Sequence, residues 1–296
     1  MTRTRANTLL LFAAFIWGTT FVAQSLGMAA VGPFTFTAVR FLLGSLIIVP
    51  LAVREYRRLR GSGVVLTRRD LASWCGLGVV LFLGVNCQQI GLMTTTVSNA
   101  GFLTALYVPL VPLLSWLCYR ERLNPMIWPM VAGSLIGTFL LSGGQFSALT
   151  TGDYWVLLST VFWGFHVLWV GRFAAKKGAP VLVALTQFLV CGVLSLVPMF
   201  AQETVTASGL WQAAPAILYG GILSVGIAYT LQVVAQSHSR PADAAILLSS
   251  ELLFAAVAGA ICLGEKLGGI QLAGGALIFA CILAVQLLPQ PVAKPA

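Results

Sequence analysis

Along the chain, long apolar runs alternate with short polar gaps, and the lengths of the runs set its organisation. A helix crossing about 30 Å of hydrocarbon needs about 20 apolar residues. Ten runs of that kind are predicted as membrane-spanning helices, at 8–27, 33–53, 71–92, 97–119, 125–143, 153–171, 180–200, 213–236, 242–264 and 267–288. The gaps carry helix-stopping or charged residues: Gly32-Pro33, the 54–69 stretch, Arg120-Glu121-Arg122, Gly143-Gly144, Lys176-Lys177-Gly178 and Arg240-Pro241. The start imitates a secretory signal, with Arg3 and Arg5 ahead of apolar sequence. That sequence runs on to about Leu26 without a small-x-small cleavage pattern and recurs later in the chain, so it reads as the first span.

Composition agrees with lipid as the main solvent. The 296 residues are 58% hydrophobic and 8% charged, against about 25% charged in a soluble domain, which excludes a soluble globular fold. The net charge of +9 does not point to nucleic acid, because the basic residues sit in the short gaps and no Arg-rich face or aromatic-basic alternation spans a domain. Their distribution orients the chain instead. With a cytoplasmic N-terminus, every basic residue except Arg40, within a span, and Lys266 falls on the cytoplasmic side. That bias places both termini in the cytoplasm and the chain in a bacterial-type inner membrane. The six cysteines lie inside apolar runs, without the close pairs or neighbouring histidines of a metal site or disulfide framework.

Internal similarity identifies the fold. Segments recur about 144 residues apart: Ile16-Trp17-Gly18-Thr19 with Phe162-Trp163-Gly164-Phe165, Pro33 and Arg40-Phe41 with Pro180 and Gln187-Phe188, and Asn99-Ala100 with Asp243-Ala244. Glu121-Arg122-Leu123 likewise matches Glu265-Lys266-Leu267, and 132–136 resembles 274–278. Five spans per half is an odd number, so the second half inserts upside down. The expectation is an all-α polytopic membrane protein of ten helices, as two inverted five-helix repeats at 1–145 and 146–296. That architecture suits transporters, whose halves exchange conformations around a midplane site.

At these residues the chain resembles the EamA family of the drug/metabolite transporter superfamily, over nearly its whole length. The resemblance rests on FIWGTTF at 15–21, the pattern from Pro33 to Arg40, SNAGFL at 98–103 followed by Pro109 and YRERL, Trp163-Gly164, and ADAAILLSSELLFAAVAGAICLGEKL at 242–267. It implies ten spans in inverted repeats and transport of metabolites or drugs, frequently export. The YddG-type exporters of aromatic and other neutral amino acids look like the nearest functional analogue. The sequence departs from the family where Leu252, not proline, follows Glu251, which puts a proline hinge there in doubt.

Ionisable and polar side chains inside spans are costly and so are candidates for function. Arg40 lies about 10 Å into span two, where a guanidinium suits a substrate carboxylate, or locks its helix to neighbouring carbonyls. Glu251 lies about 12 Å past Asp243, near the midplane, as a proton-exchanging carboxyl or a hydrogen-bond partner through Ser249 or Ser250. His166 shares a face with Trp163, and Trp17 and Trp163 sit mid-span as an aromatic lining or as packing behind Gly18 and Gly164. Asn86 and Gln89 share one face of span three, and Tyr229, Gln232 and Gln236 one face of span eight. Tyr107 precedes Pro109 and Pro112, making span four a candidate moving element. The expected substrate-binding set is Trp17, Arg40, Asn86, Gln89, Tyr107, Trp163, His166 and Glu251.

With no HExxH, Gly-x-Ser-x-Gly or Walker loop, neither an intramembrane enzyme nor direct ATP drive is expected, and no cofactor or metal. The reading is a secondary transporter exporting neutral or aromatic amino acids by alternating access, with a proton-coupled exporter of cationic drugs as its alternative. Its partners are a small-molecule substrate and the lipid bilayer, and a monomer satisfies the reading.

Overall fold

A computed structural model describes residues 1–95, 97–121, 124–144, 149–262 and 268–287. Arg122, Leu123 and the Glu265-Lys266-Leu267 turn lie outside the described residues. The described residues form helices joined by short turns: α1 (Arg3–Met28), α2 (Pro33–Gly61), α3 (Arg68–Leu92), α4 (Val97–Ala105), α5 (Tyr107–Tyr119), α6 (Ile127–Leu141), α7 (Thr151–Lys177), α8 (Pro180–Gln202), α9 (Ala207–Tyr219), a π-helical stretch (Gly220–Tyr229), α10 (Thr230–Gln236), α11 (Pro241–Leu248), α12 (Glu251–Cys262) and α13 (Gly269–Leu287). Eight helical runs are long and apolar enough to cross a membrane, and two apolar helices, Ile127–Leu141 and Gly269–Ala284, are shorter.

Local sequence explains where the helices start. Pro33, Pro180 and Pro241 occupy first-turn positions where a missing N–H costs nothing. Thr67 with Asp70 and Thr150 with Asp153 form capping boxes that open α3 and α7. Two further starts are capped from a distance. Glu203, just past α8, accepts from the Phe34 and Thr35 backbone N–H groups at 2.8 and 2.7 Å, while Glu55, late in α2, accepts from the Leu182 N–H of α8 at 2.8 Å. Helices α2 and α8 therefore run antiparallel, each with its orphan N–H groups satisfied by a carboxylate from the far end of the other. Phe41 and Phe188, ring centroids 6.1 Å apart, pack between them.

Three spans read as continuous helices are interrupted. The fourth breaks at Leu106, because Pro109 has no N–H for the Ala105 carbonyl, and Pro109 then falls in the first turn of α5. The ninth breaks at Ser249-Ser250 without a proline. There the two hydroxyls donate to the carbonyls of Ile246 and Leu247, at 2.8 and 2.7 Å, and tighten the chain into a turn. The eighth widens into the π-helical stretch, whose Gly221 lies against Leu43 of α2, while Gly44 of α2 lies against Val225. π-Helical segments are rare and concentrate at functional sites.

Candidate functional site

A cavity of about 60 Å³ sits where α1, α2, α3, α7, the π-helical stretch, α10 and the two broken helices converge. Its walls follow the sequence repeat. Trp17 pairs with Trp163 and Phe21 with Val167 at a spacing of 146 residues; Gln88 pairs with Gln232, Thr104 with Leu248, and Tyr107 with Glu251 at a spacing of 144. Tyr107 opens α5 and Glu251 opens α12, so each broken helix delivers the side chain just past its break to the same space. The lining residues outside these pairs are Gln24, Arg40, Ser224 and Tyr229.

The Trp-Gly words explain how the wall is built. A Cβ on Gly18 would stand 2.5 Å from the Glu251 carbonyl oxygen and 2.7 Å from Phe254 Cβ, so α12 crosses α1 in near backbone contact. A Cβ on Gly164 would meet Leu110 Cδ2 of α5 at 2.9 Å. In both words the tryptophan lines the cavity while the following glycine admits a broken helix. The packing and lining readings of this motif thus hold together. Tyr229 completes the aromatic wall, its ring 4.5 Å from Trp17 and 6.4 Å from Trp163, nearly parallel to the latter at 16°.

Arg40 is 3% exposed, with its guanidinium carbon 5.2 and 5.3 Å from the ring centroids of Phe36 and Phe41. The rings stabilise the cation without neutralising it. Among the described residues, neither Arg40 nor Glu251 forms an ion pair, with the other or with any third residue. Arg40 Nε and the indole nitrogens of Trp17 and Trp163 are buried without a hydrogen-bond partner, as are the side-chain oxygens of Gln24 and Gln232. Gln88 donates to Thr104 at 3.0 Å, and Tyr107 reaches the Ala245 carbonyl at 3.4 Å. The second half has no equivalent of the Arg40 charge: its sequence partner Gln187 is held by His166 Nε2 at 2.8 Å.

Of the eight residues singled out in the sequence, the cavity brings together Trp17, Arg40, Tyr107, Trp163 and Glu251. The other three lie outside its lining. Asn86 donates to Ser195 Oγ at 3.0 Å and ties α3 to α8. Gln89 is fully buried with neither amide atom partnered. His166 is fully buried, edge-on to Trp163 with centroids 5.8 Å apart, behind the wall. Gln88, Thr104, Gln24 and Ser224 were missed. The signal for Gln88 was the repeat itself, since it stands opposite Gln232, which the polar face of span eight had already marked.

A cavity of this volume holds a handful of waters, so a larger ligand requires its side chains to move apart. Chemically, among the described residues, it offers one unneutralised cation, one unpaired carboxyl group, unpartnered amide oxygens and indole groups, and an aromatic wall. A bound molecule with an anionic group for Arg40 and a hydrogen-bond donor for the Glu251 carboxyl group matches this set.

The EamA-like transporter family matches the chain twice, over residues 4–143 and 150–287. An uncharacterized transporter of Archaeoglobus fulgidus is 30% identical over 279 residues, 94% of this chain and 84% of that protein. The threonine/homoserine exporter RhtA of Escherichia coli (strain K12) is 30% identical over 280 residues, 92% of this chain and 88% of RhtA. The uncharacterized inner membrane transporter YedA of the same strain is 27% identical, with 92% and 88% covered. A crystal structure with 22% identity superposes with a TM-score of 0.79 over 97% of both chains, a likeness of fold alone. With both halves matched and eight helices able to cross a membrane, the chain belongs to the EamA-like transporter family of membrane transporters.

Proposed function

We propose that this protein is a secondary transporter that exports neutral amino acids, binding them as zwitterions in the central cavity. Arg40 takes the carboxylate, Glu251 faces the ammonium group, and Trp17, Trp163, Tyr107 and Tyr229 surround the side chain. Gln88 and Gln232 supply amides from opposite sides. Asn86, Gln89 and His166 support the helices behind this lining.

The observation that carries the reading is that Arg40 and Glu251 line one cavity and that, among the described residues, both lack an ionic partner. Hydrogen bonds to charged groups contribute about 1.5–3 kcal/mol each, enough for a small metabolite held at both ends. A lipophilic cation entering the same cavity meets the Arg40 guanidinium, which argues against the cationic-drug alternative. The similarity to RhtA, a threonine/homoserine exporter, supports an amino acid as cargo.

In this reading ten helices cross the membrane as two inverted halves, 1–145 and 146–296, with α6 and α13 as the fifth and tenth crossings. These two shorter helices pack together where a Cβ on Gly137 or Gly274 would stand 2.8 or 2.5 Å from the other's carbonyl oxygen. The basic asymmetry and the similarity to inner membrane transporters support an inner-membrane location with both termini cytoplasmic.

Counterflow of radiolabelled threonine, homoserine and aromatic amino acids in liposomes holding the purified protein tests the function. Saturable exchange that is lost in Arg40→Ala and Trp163→Ala is the expected result. A folded preparation with no exchange above empty liposomes overturns the amino-acid reading and turns attention to cationic compounds.

A further inference from the structure

The end of α2 and the start of α3 carry six arginines, Arg54, Arg57, Arg58, Arg60, Arg68 and Arg69, on exposed positions. Helix α2 has 29 residues, about 43 Å at 1.5 Å per residue, so its last two turns project beyond about 30 Å of hydrocarbon. In the proposed topology the α2 arginines therefore fall at the depth of lipid headgroups, and Arg68 and Arg69 follow at the start of α3. Two carboxyl groups lie within this segment, and both are turned inward and occupied: Glu55 caps α8, and Asp70 closes its capping box and meets Lys176 and Lys177 at 3.5 and 3.3 Å.

The other basic groups on this face of the protein are mostly spent on internal partners. Arg3 and Arg240 pair with Asp243, Arg172 pairs with Glu121, and the two lysines pair with Asp70. By contrast, among the described residues Arg54, Arg57, Arg60, Arg68 and Arg69 have no side-chain ion pair or hydrogen bond, and Arg58 reaches Glu55 at 3.8 Å and the Gly178 carbonyl at 2.9 Å. Membrane orientation requires positive charge of either kind. Among the described residues, the two lysines, Lys176 and Lys177, face a protein carboxylate, and the unneutralised positions of this segment are arginine, whose planar fork bonds phosphate oxygens in pairs.

The array is held in place and edged with apolar side chains. Arg58 to Gly178 and Lys177 to the Val65 carbonyl at 3.0 Å pin the turn between α2 and α3 against the end of α7. Val65, 72% exposed between the two arginine groups, and the exposed Leu51, Val53, Tyr56 and Leu71 offer an apolar edge toward the acyl region.

We propose that the turn between α2 and α3 is a binding surface for anionic phospholipid, in which the five unpartnered arginines hold headgroup phosphates while the neighbouring apolar side chains meet the acyl chains. Clustered basic residues beside a membrane-spanning helix attract anionic lipid electrostatically. The surface grips α2 and α3, the helices that carry Arg40 and Gln88, but the proposal is independent of what the cavity transports.

The test measures the thermal unfolding midpoint of the intact protein in uncharged detergent, with short-chain phosphatidylglycerol, short-chain phosphatidylcholine or inorganic phosphate added at equal concentration. The wild type should be stabilised by phosphatidylglycerol well beyond the other two. Changing the five arginines together to lysine keeps the orienting charge and should give a smaller shift, and changing them to glutamine should abolish it. Equal shifts with both lipids, an equal shift with inorganic phosphate, or an undiminished phosphatidylglycerol shift in the lysine variant each overturn the proposal.

Discussion

At the scale of single residues, the weight of the account falls on Arg40 and on the glycines beside the tryptophans. Arg40→Gln removes the cation and should raise KM in counterflow by about 10- to 150-fold, matching about 1.5–3 kcal/mol for a lost charged hydrogen bond. Arg40→Lys should fall between, because an ammonium cannot reproduce paired bonds to a carboxylate. An unchanged KM in Arg40→Gln removes Arg40 from the site, and an unchanged KM in Arg40→Lys removes the paired bonds from the account. Gly18→Ala and Gly164→Ala separate in severity. The new methyl at 18 meets a carbonyl oxygen and a Cβ, neither of which can swing away, whereas that at 164 first meets the end of a leucine. Gly18→Ala should therefore lose about 1–3 kcal/mol and melt at a lower temperature than Gly164→Ala; equal melting temperatures contradict this account of the crossing.

The residues that sequence revealed are those marked by oddity. A charge inside an apolar run, or tryptophan away from the interface, is visible without coordinates, and Arg40, Glu251, Trp17 and Trp163 all line the cavity. Asn86 and Gln89 were equally odd but occupy another face of α3, because a polar pair three residues apart marks a face without saying which neighbour it meets. The hydrogen bond from Asn86 to Ser195 resembles the helix-to-helix contacts common inside membranes.

At the scale of elements, the two broken helices are the parts most suited to move. Their breaks fall at equivalent places, Leu106 and Ser249-Ser250, yet one rests on a proline and the other on two serine hydroxyls. The prolines made bending predictable in the first half. The serine break was not legible, because a hydroxyl's choice between its own helix and a neighbour depends on what packs beside it; Ser249 does both, also meeting Ser134 at 2.9 Å. Replacing Ser249 and Ser250 with alanine should let the helix run straight, lengthening the distance between spin labels at positions 244 and 256 and slowing transport. An unchanged label distance would show that the hydroxyls do not hold the break. The π-helical stretch was hidden for a related reason, since its glycines make close approach possible but the approach itself belongs to α2.

At the scale of the whole molecule, the repeat is what links sequence to site. Spacings of 144 and 146 residues, read from words such as Trp-Gly and Asn-Ala, also pair ten of the residues that line the cavity. The departures from that pairing give the site its character: Arg40 has no ion pair among the described residues, where its partner Gln187 is tied to His166. The proposed inverted arrangement of the halves also makes a topological prediction. With the native cysteines replaced, a membrane-impermeant thiol reagent applied to intact cells should label a cysteine at Ser208, in the first turn of α9, and leave one at Ser62, between α2 and α3, unlabelled until the cells are opened. Labelling of both from outside, or of Ser62→Cys alone, contradicts the orientation.

The central claim is that one cavity reads both charges of a zwitterion, and competition in counterflow tests it most directly. Exchange of a transported neutral amino acid should be inhibited by the unlabelled amino acid, but at least 10-fold less effectively by its carboxyl amide, which lacks the anion for Arg40, and by its N-acetyl derivative, which lacks the cation for Glu251. Inhibition by the amide as strong as by the parent amino acid would mean that Arg40 does not recognise the carboxylate, and the zwitterion account would be wrong.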